Sequence, residues 1–521
     1  MCARERGWSK VRGAAGDGST NTFRDTVRRA GARWSGHVRQ RWRTLPPQRR
    51  TLGLTAGSAA VGLAVSLGVV AAAGPWDHGQ RTAERSRAAA LEADSGGSHT
   101  DDARPGPVAG REPAEAPKPA PSAPPVLRPA DASGEAPTRG GLAEALRAGL
   151  KDEALGRTVG AAVVDVATGR VLYESGGDKP LVPASTIKLA TATAALTALG
   201  PEHRLETRTV WDPGSRRVLL VGGGDPTLTE DRLAALAEDT AEALREQELH
   251  PKTLGYDISR FTGEPRHPIG VNPNLAPLSP LMLNAARTDG SRRGPAPREA
   301  DPAAAVADRF AELLDEHGVF AGRTERARAP KDARRLAATR SAPLAGLVER
   351  MLTDSDNDLA EALARHTALA TGEPADFDGA RAAARKVLRG LGLPVGHARF
   401  ADGSGLSRDS RVSATLLASL LATAAHADHP ELRPVLTGMP VAGFTGTLGG
   451  RYGTEATEDA AGVVRAKTGT LTGVNALAGT VVDADGRLLA FAFLANGTES
   501  RGAAHAALDR LATALAECGC R

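Results

Sequence analysis

Aromatic residues make up only 3% of this 521-residue chain. A stripe of aromatics interleaved with basic side chains, the usual platform for single-stranded nucleic acid, is therefore excluded. Charge agrees with this. The formal net charge is +4, and the excess crowds the N-terminal end at Arg39, Arg41, Arg43, Arg49 and Arg50, whereas the later chain mixes both signs. Cysteine is almost absent. Cys2, Cys518 and Cys520 are the three present, so neither a disulfide framework nor a thiolate zinc site can organise the centre of the chain. The terminal Cys518-Gly519-Cys520 reads as an unstructured end with incidental thiols. There is no H-E-x-x-H helix and no glycine-rich phosphate loop between strand and helix. Gly222 to Gly224 precede Asp225-Pro226 and read as a turn, and His366 as a structural or surface residue in a helical pattern. No metal, cofactor or nucleic-acid partner is implied.

What is present divides the chain into four stretches. Residues 1–51 form a basic tail. Residues 52–74, LGLTAGSAAVGLAVSLGVVAAAG, are uncharged and long enough to cross a bilayer as one helix. The arginines before this segment favour retaining the tail in the cytoplasm and sending the rest of the chain outside. Cleavage as a signal peptide near Ala71-Ala72-Ala73 is the alternative, giving a secreted protein, but the apolar run is long and the preceding tail longer than a usual signal n-region. Residues 75–138 are rich in Pro and Ala, with too few large apolar side chains for a core, and read as an extended spacer. Order resumes at 139–521. GGLAEALRAGL has leucines at helical spacing, VGAAVVDVATGRVLYE reads as two strands around a turn, and PLVPASTIKLATATAALTALG as a loop entering a buried helix that stops at Gly200.

Three short motifs carry the chemistry. Ser185 and Lys188 in Ser-Thr-Ile-Lys lie three residues apart at a predicted helix start, on one face, where an unprotonated lysine can take the serine proton. Such a spacing occurs about once by chance in a chain this long, and a capping serine with a surface lysine is the bland alternative. Ser355-Asp356-Asn357 sits where a loop enters a helical pattern; Ser19-Thr20-Asn21 has the same form in the tail, so position must discriminate. Lys467-Thr468-Gly469-Thr470 opens a strand-like run, where a lysine and hydroxyls suit a carboxylate and glycine admits a substrate backbone. An edge strand with a protective lysine is the plain alternative.

In that order, with helix, loop and strand as contexts, the motifs resemble those of the penicillin-recognising serine enzymes. LLVGGGDPTLT, GYDISRFTG, APLSPLMLN, ADGSGLSRDSRVS and MPVAGFTGTLGGR are similar to segments of the D-Ala-D-Ala carboxypeptidase/endopeptidase family, the class C low-molecular-mass penicillin-binding proteins of peptidase family S13. The resemblance runs from about residue 140 to the C-terminal helix. It implies an α+β penicillin-binding/β-lactamase-like serine transpeptidase fold, an antiparallel sheet flanked by helices. The first hairpin would pair with the C-terminal strands. The 170 positions separating Ser185 from Ser355 imply an inserted subdomain, placed at about 208–341 within a catalytic domain of 139–521. A second insert common in the family looks reduced, because LMLNAARTDGSRRGPAPREADPAAAVADRF passes quickly into a helix.

The resemblance further implies roles. Ser185 would attack the carbonyl between two D-alanines of a peptidoglycan stem peptide, Lys188 accepting its proton, with the neighbouring Lys467 helping to keep Lys188 neutral. Ser355 would relay a proton to the leaving amine, Asn357 would hold the substrate amide and the lysine, and Lys467 with Thr468, Gly469 and Thr470 would receive the terminal carboxylate. Backbone N–H groups of Ser185 and Thr470 would form the oxyanion hole, and β-lactams would inhibit. A β-lactamase-like hydrolase and a non-catalytic wall- or penicillin-binding membrane protein are the competing expectations.

Overall fold

The structure, a computed structural model, describes residues 136–270, 272–319 and 323–520. The expected tail, apolar span and nearly all of the spacer lie outside these residues. Among the described residues, no helix is long and apolar enough to cross a membrane.

The first described helix, α1 (Arg139–Leu150), starts where the Thr138 hydroxyl accepts the Gly141 N–H at 3.1 Å, and it buries Leu142 and Leu146, one turn apart. Strands β1 (Thr158–Asp165) and β2 (Val171–Ser175) form the expected hairpin. Helix α2 (Lys188–Leu199) is alanine- and threonine-rich, is buried along most of its length, and ends at Gly200 with φ 81°. At the other end of the chain β8 (Arg465–Leu471), β9 (Val474–Val482) and β10 (Leu488–Asn496) complete an antiparallel sheet of order β2-β1-β10-β9-β8. β1 pairs with β10 in the register Val163↔Phe491, so the expected joining of the first hairpin to the C-terminal strands is observed.

The central strands read as unbroken apolar runs because both faces of this sheet are covered. Successive residues alternate between two cores. Val163, Phe491 and Phe493 face α1 and α10 (Arg501–Ala516). Ala162, Ala490 and Ala492 face the other way, toward α2 and α8 (Ala414–Ala425). Alanine on that face lets the helices approach closely, which is how a chain poor in aromatics builds a dense core. The same core takes in α5 (Leu344–Thr353), α6 (Asn357–Thr371) and α9 (Arg433–Thr437), with α7 (Phe377–Gly390) at its edge.

Between the first and second motifs the chain builds a separate sheet. It contains β3 (Glu206–Asp212), β4 (Arg217–Val221), β5 (Thr253–Asp257), β6 (Thr324–Arg326) and β7 (Arg334–Arg340), in the order β6-β5-β4-β3-β7. β4-β5 and β5-β6 are parallel, and each parallel step is bridged by a helix, α3 (Glu230–Glu246) and then α4 (Pro302–Glu316). Gly222 and Gly223 lie where this sheet meets neighbouring backbone. A Cβ at either would come within 2.7 Å of the Pro280 carbonyl oxygen or 2.1 Å of that of Glu206, and Gly224 packs under the buried His366 ring.

One sequence expectation is overturned. The C-terminal end is ordered: Cys518 is buried and joined to Cys520 by a disulfide, and the Cys520 carbonyl accepts the Thr138 N–H at 2.7 Å, so the end of the chain is fastened to the start of α1. Thiol spacing alone could not reveal that packing.

Phe491 sits fully buried at the centre of β10. Phe491→Ala is expected to lower unfolding free energy by about 3–5 kcal/mol, read from the denaturant midpoint; a change within error of wild type would show that this sheet face is not the core.

Candidate active site

Ser185 does not lie in the helix itself. It occupies a single 3-10 turn, Ala184–Ile187, directly before α2, and Ala184 takes φ 47°, unfavourable for a residue with a Cβ. The turn is locked by the Thr186 hydroxyl donating to the Pro183 carbonyl at 2.8 Å. Two glycines pack against it. A Cβ at Gly405 would fall 2.0 Å from the Ala184 carbonyl oxygen, and one at Gly469 would fall 2.5 Å from that of Pro183. The glycine of Lys467-Thr468-Gly469 is thus required by the nucleophile turn; the expected approach of a substrate backbone is not what fills its missing side chain.

Lys188 opens α2 and is fully buried, which removes the surface-lysine alternative. Its Nζ is 2.7 Å from Asn357 Oδ1, 2.6 Å from the Ser404 carbonyl oxygen and 3.1 Å from Ser185 Oγ. The first two partners only accept. Asn357 is oriented by its own Nδ2, which donates to the Asn274 carbonyl at 2.9 Å. A neutral lysine has two N–H donors and one lone pair. With both donors engaged, the lone pair is left for Ser185, whose hydroxyl then donates to it.

Burial lowers the Lys188 pKa to about 8, against opposing pulls from Asp402, Glu361, Asp356 and Asp358. At pH 7.4 that leaves roughly a fifth of the side chains neutral, where an ordinary lysine would have about one in a thousand. Lys467, also fully buried, is held well below the usual lysine range by burial and then by the Lys188 charge. Burial is the leading cause for both lysines, and the Lys188 charge adds to it at Lys467.

Ser355 takes φ 56°, a strained conformation that turns the chain into α6. Asp356 caps that helix by accepting the Leu359 N–H at 3.0 Å, and Asn357 is its first residue. Lys467 Nζ donates to Ser355 Oγ at 3.0 Å and to the Thr468 carbonyl at 2.9 Å, tying the second motif to β8. β8 is an edge strand as expected, but Lys467 points inward and is no solvent gatekeeper. The Thr468 hydroxyl donates to Thr447 Oγ1 at 2.8 Å, and Thr470 Oγ1 lies 3.1 Å from His505 Nε2. His505 has its pKa lowered to about 4, first by burial and then by Arg451 and Arg501.

A cleft of about 200 Å³ is lined by Ser185, Ser355, Asn357 and Thr470 together with Asn274, Arg287 and Leu406. All three motifs therefore meet at one opening, with Lys188 and Lys467 buried behind it. Sequence reasoning missed the brace at the back. Glu361, one turn along α6 from Asn357, accepts the Gly403 and Ser404 N–H groups at 3.1 and 2.9 Å, presenting the Ser404 carbonyl to Lys188. Asp402 accepts from Gly405 N at 3.1 Å, Ser407 N at 2.7 Å and His267 Nε2 at 3.1 Å. His267, Glu361 and Asp402 bring ligand-type atoms within 4.8 Å of one another. Their lone pairs are already engaged, however, because His267 Nδ1 accepts the Ile269 N–H at 3.2 Å. The cluster is a hydrogen-bonded brace. ADGSGLSRDSRVS contained its signal, but only as a matching segment without an assigned role.

The model of the D-Ala-D-Ala carboxypeptidase 3 (S13) family matches residues 142–291 and 288–517. Carboxypeptidase DacB of Mycolicibacterium smegmatis is 38% identical over 436 residues, covering 78% of this chain and 91% of that protein. A D-alanyl-D-alanine carboxypeptidase of an Actinomadura species is 33% identical over 473 residues, covering 74% and 86%. Among solved structures, penicillin-binding protein 4 of Haemophilus influenzae superposes with a TM-score of 0.59 at 23% identity, covering 71% of this chain and 97% of that one, and shares the fold.

The rate of Ser185 acylation by excess labelled penicillin is expected to rise about tenfold per pH unit below about pH 8 and to level above it, because the neutral form of Lys188 grows with pH through its pKa. Lys188→Arg, which stays charged, should slow acylation by about 10²–10⁴-fold. A flat profile from pH 6 to 9 would remove Lys188 as the base.

Proposed function

The chain belongs to the D-Ala-D-Ala carboxypeptidase 3 (S13) family, and on that premise we propose how its cleft cuts the end of a peptidoglycan stem peptide. The protein is a serine-type D-Ala-D-Ala carboxypeptidase, a hydrolase. One observation carries the mechanism: Lys188 has two pure acceptors and one hydroxyl around it, and the hydroxyl is that of Ser185.

With Lys188 neutral, Ser185 Oγ attacks the carbonyl carbon of the penultimate D-alanine as its proton passes to Nζ. The Ser185 and Thr470 N–H groups hold the oxyanion, each such donor being worth about 3 kcal/mol of barrier. The tetrahedral species collapses and the C–N bond breaks. The terminal D-alanine leaves as an amine after taking a proton through Ser355, which is hydrogen-bonded to Lys467. As Ser355 gives its hydroxyl proton to the amine it takes the one that Lys188 received from Ser185, so that proton leaves the pair and Lys188 is neutral again when water attacks the acyl ester. Asn357 both fixes Lys188 and faces the cleft where the peptide amide lies. Thr470, the one member of the Lys467–Thr470 motif lining the cleft, takes the terminal carboxylate.

The same acyl-enzyme forms when the leaving amine belongs to a neighbouring peptide, so cross-link endopeptidase activity belongs to this reading. β-Lactams, which carry a strained amide in place of the D-Ala-D-Ala bond, acylate Ser185. The wild-type protein should retain labelled penicillin covalently and release one D-alanine from a stem peptide ending in D-Ala-D-Ala, with Ser185→Ala doing neither. Rapid turnover of penicillin without release of D-alanine would instead make the protein a β-lactamase.

The catalytic domain, 139–521 with its insertion at about 208–341, acts on the outer side of the cell membrane, anchored by residues 52–74 and spaced from the bilayer by 75–138. Supporting this are the uncharged run and the arginines before it. External protease applied to intact cells should degrade the catalytic domain and leave the tail protected; protection of both would overturn the topology.

A further inference from the structure

Among the groups in the cleft is a cation that no step above uses. Arg287 lines it with Ser185, Ser355, Asn357 and Thr470. The guanidinium donates to Ser291 Oγ at 2.9 Å and to the Gly294 carbonyl at 2.7 Å, both neutral acceptors within its own loop. Its Nε is shielded from solvent and has no hydrogen-bond partner among the described residues.

Three nearby carboxylates are already taken by other arginines, and a fourth, Asp289, accepts the Ser291 N–H at 3.0 Å and forms no ion pair with Arg287. Asp358 pairs with Arg298 at 2.9 Å, Asp356 with Arg350 at 3.4 Å and Asp354 with Arg293 at 3.6 Å. Of the two arginines lining the cleft, Arg293 is thus paired, and Arg287 has no ion-pair partner among the described residues. Burial and then the like charge of Arg298 weaken its hold on its proton, and Asp356, Asp358 and Asp289 offset this only in part. A half-buried cation without a direct ion pair is poorly compensated unless something else supplies one.

The backbone before it is strained in a way that fixes this placement. Asn284, Ala285 and Ala286 have φ of 45°, 52° and 56°, three successive residues in a region that suits glycine. The turn is held from outside: Arg298, in the buried pair with Asp358, donates to the Ala285 carbonyl at 2.5 Å, and Glu299 N donates to the Ala286 carbonyl at 2.9 Å. Asp358 is the neighbour of Asn357 on α6, so the loop bearing Arg287 is fastened to the helix that bears the second motif. Strain of this kind, held in place by a buried ion pair beside a cleft, is the kind that clusters at ligand-binding positions.

We propose that Arg287 binds a carboxylate of the stem peptide. A planar guanidinium that lines the cleft, with one N–H on each Nη beyond those given to Ser291 and Gly294, suits a carboxylate better than any other group such a peptide carries. Two sources share that chemistry, the carboxylate of the terminal D-alanine and one further up the peptide. The inference rests on this cleft being the active site, and covalent labelling of wild-type Ser185 by penicillin tests that premise separately.

The experiment compares full-length wild type, Arg287→Gln and Arg287→Lys on two synthetic peptides ending in D-Ala-D-Ala, one with a free side-chain carboxylate upstream and one with that group amidated. In Arg287→Gln, KM should rise about tenfold or more while kcat stays within about twofold, and Arg287→Lys should recover part of the loss. A rise confined to the free-carboxylate peptide assigns the upstream group; an equal rise on both assigns the terminal one. If Arg287→Gln does not fold, Arg287→Lys must still raise KM severalfold, since it keeps the charge but not the planar fork. Unchanged KM for both peptides in a penicillin-reactive enzyme would overturn the proposal.

Discussion

Everything in this active site follows from burying the amino group of Lys188. In water that group is an ammonium with three equivalent donors; here it has two acceptors and a hydroxyl, in a place where charge is costly. The fold meets that constraint from three directions. α2 brings Lys188 under Ser185, α6 supplies Asn357 and Glu361, and the 402–407 segment presents the Ser404 carbonyl. Remove the orientation of either acceptor and the lysine lone pair is no longer reserved for the nucleophile. The carboxylates of Asp402 and Glu361 oppose the desolvation, so the base is weakened without being made useless at neutral pH.

Strain is concentrated where these directions converge. Among the non-glycine residues with positive φ are Ala184 beside the nucleophile, Ser355 in the second motif and Asn284 to Ala286 before Arg287. Each is held by groups that are themselves fixed: Gly405 and Gly469 against the Ala184 turn, Lys467 on Ser355, and Arg298 on the third. The catalytic groups are thereby placed before substrate arrives, which is the condition for electrostatic stabilisation to act on the transition state rather than to be spent in reorganisation. The inserted sheet enters this scheme through the segment after β5, which contributes Asn274 and Arg287 to the cleft wall.

Much of this was legible in the sequence, for identifiable reasons. The hairpin β1–β2, the helix after Ser185 and the C-terminal strands carry strong periodicity or unbroken apolar runs, and the three motifs are local patterns. What was not legible depends on residues distant in sequence meeting in space. Glu361 looks like any exposed helical glutamate until Gly403 and Ser404 are seen to close over it. Gly469 suggested substrate access until Pro183 was found in the space. Arg287 lies in a stretch with no periodicity, and its lack of an ion pair among the described residues is a statement about where Asp354, Asp356 and Asp358 point. The ordered end at Cys518 and Cys520 was missed for the same reason, since its partner, Thr138, lies almost 400 residues earlier.

The central claim is that Lys188 is a buried amine whose neutral form is accessible near neutral pH. Nitrogen-15 NMR of lysine-labelled protein, with Lys188→Arg to assign the signal, reads this without reference to catalysis. The account predicts a side-chain resonance that titrates near pH 8 and vanishes in the variant. If the Lys188 signal instead titrates near 10.4, as an exposed lysine does, the lysine is a fixed cation and the mechanism built on its lone pair fails.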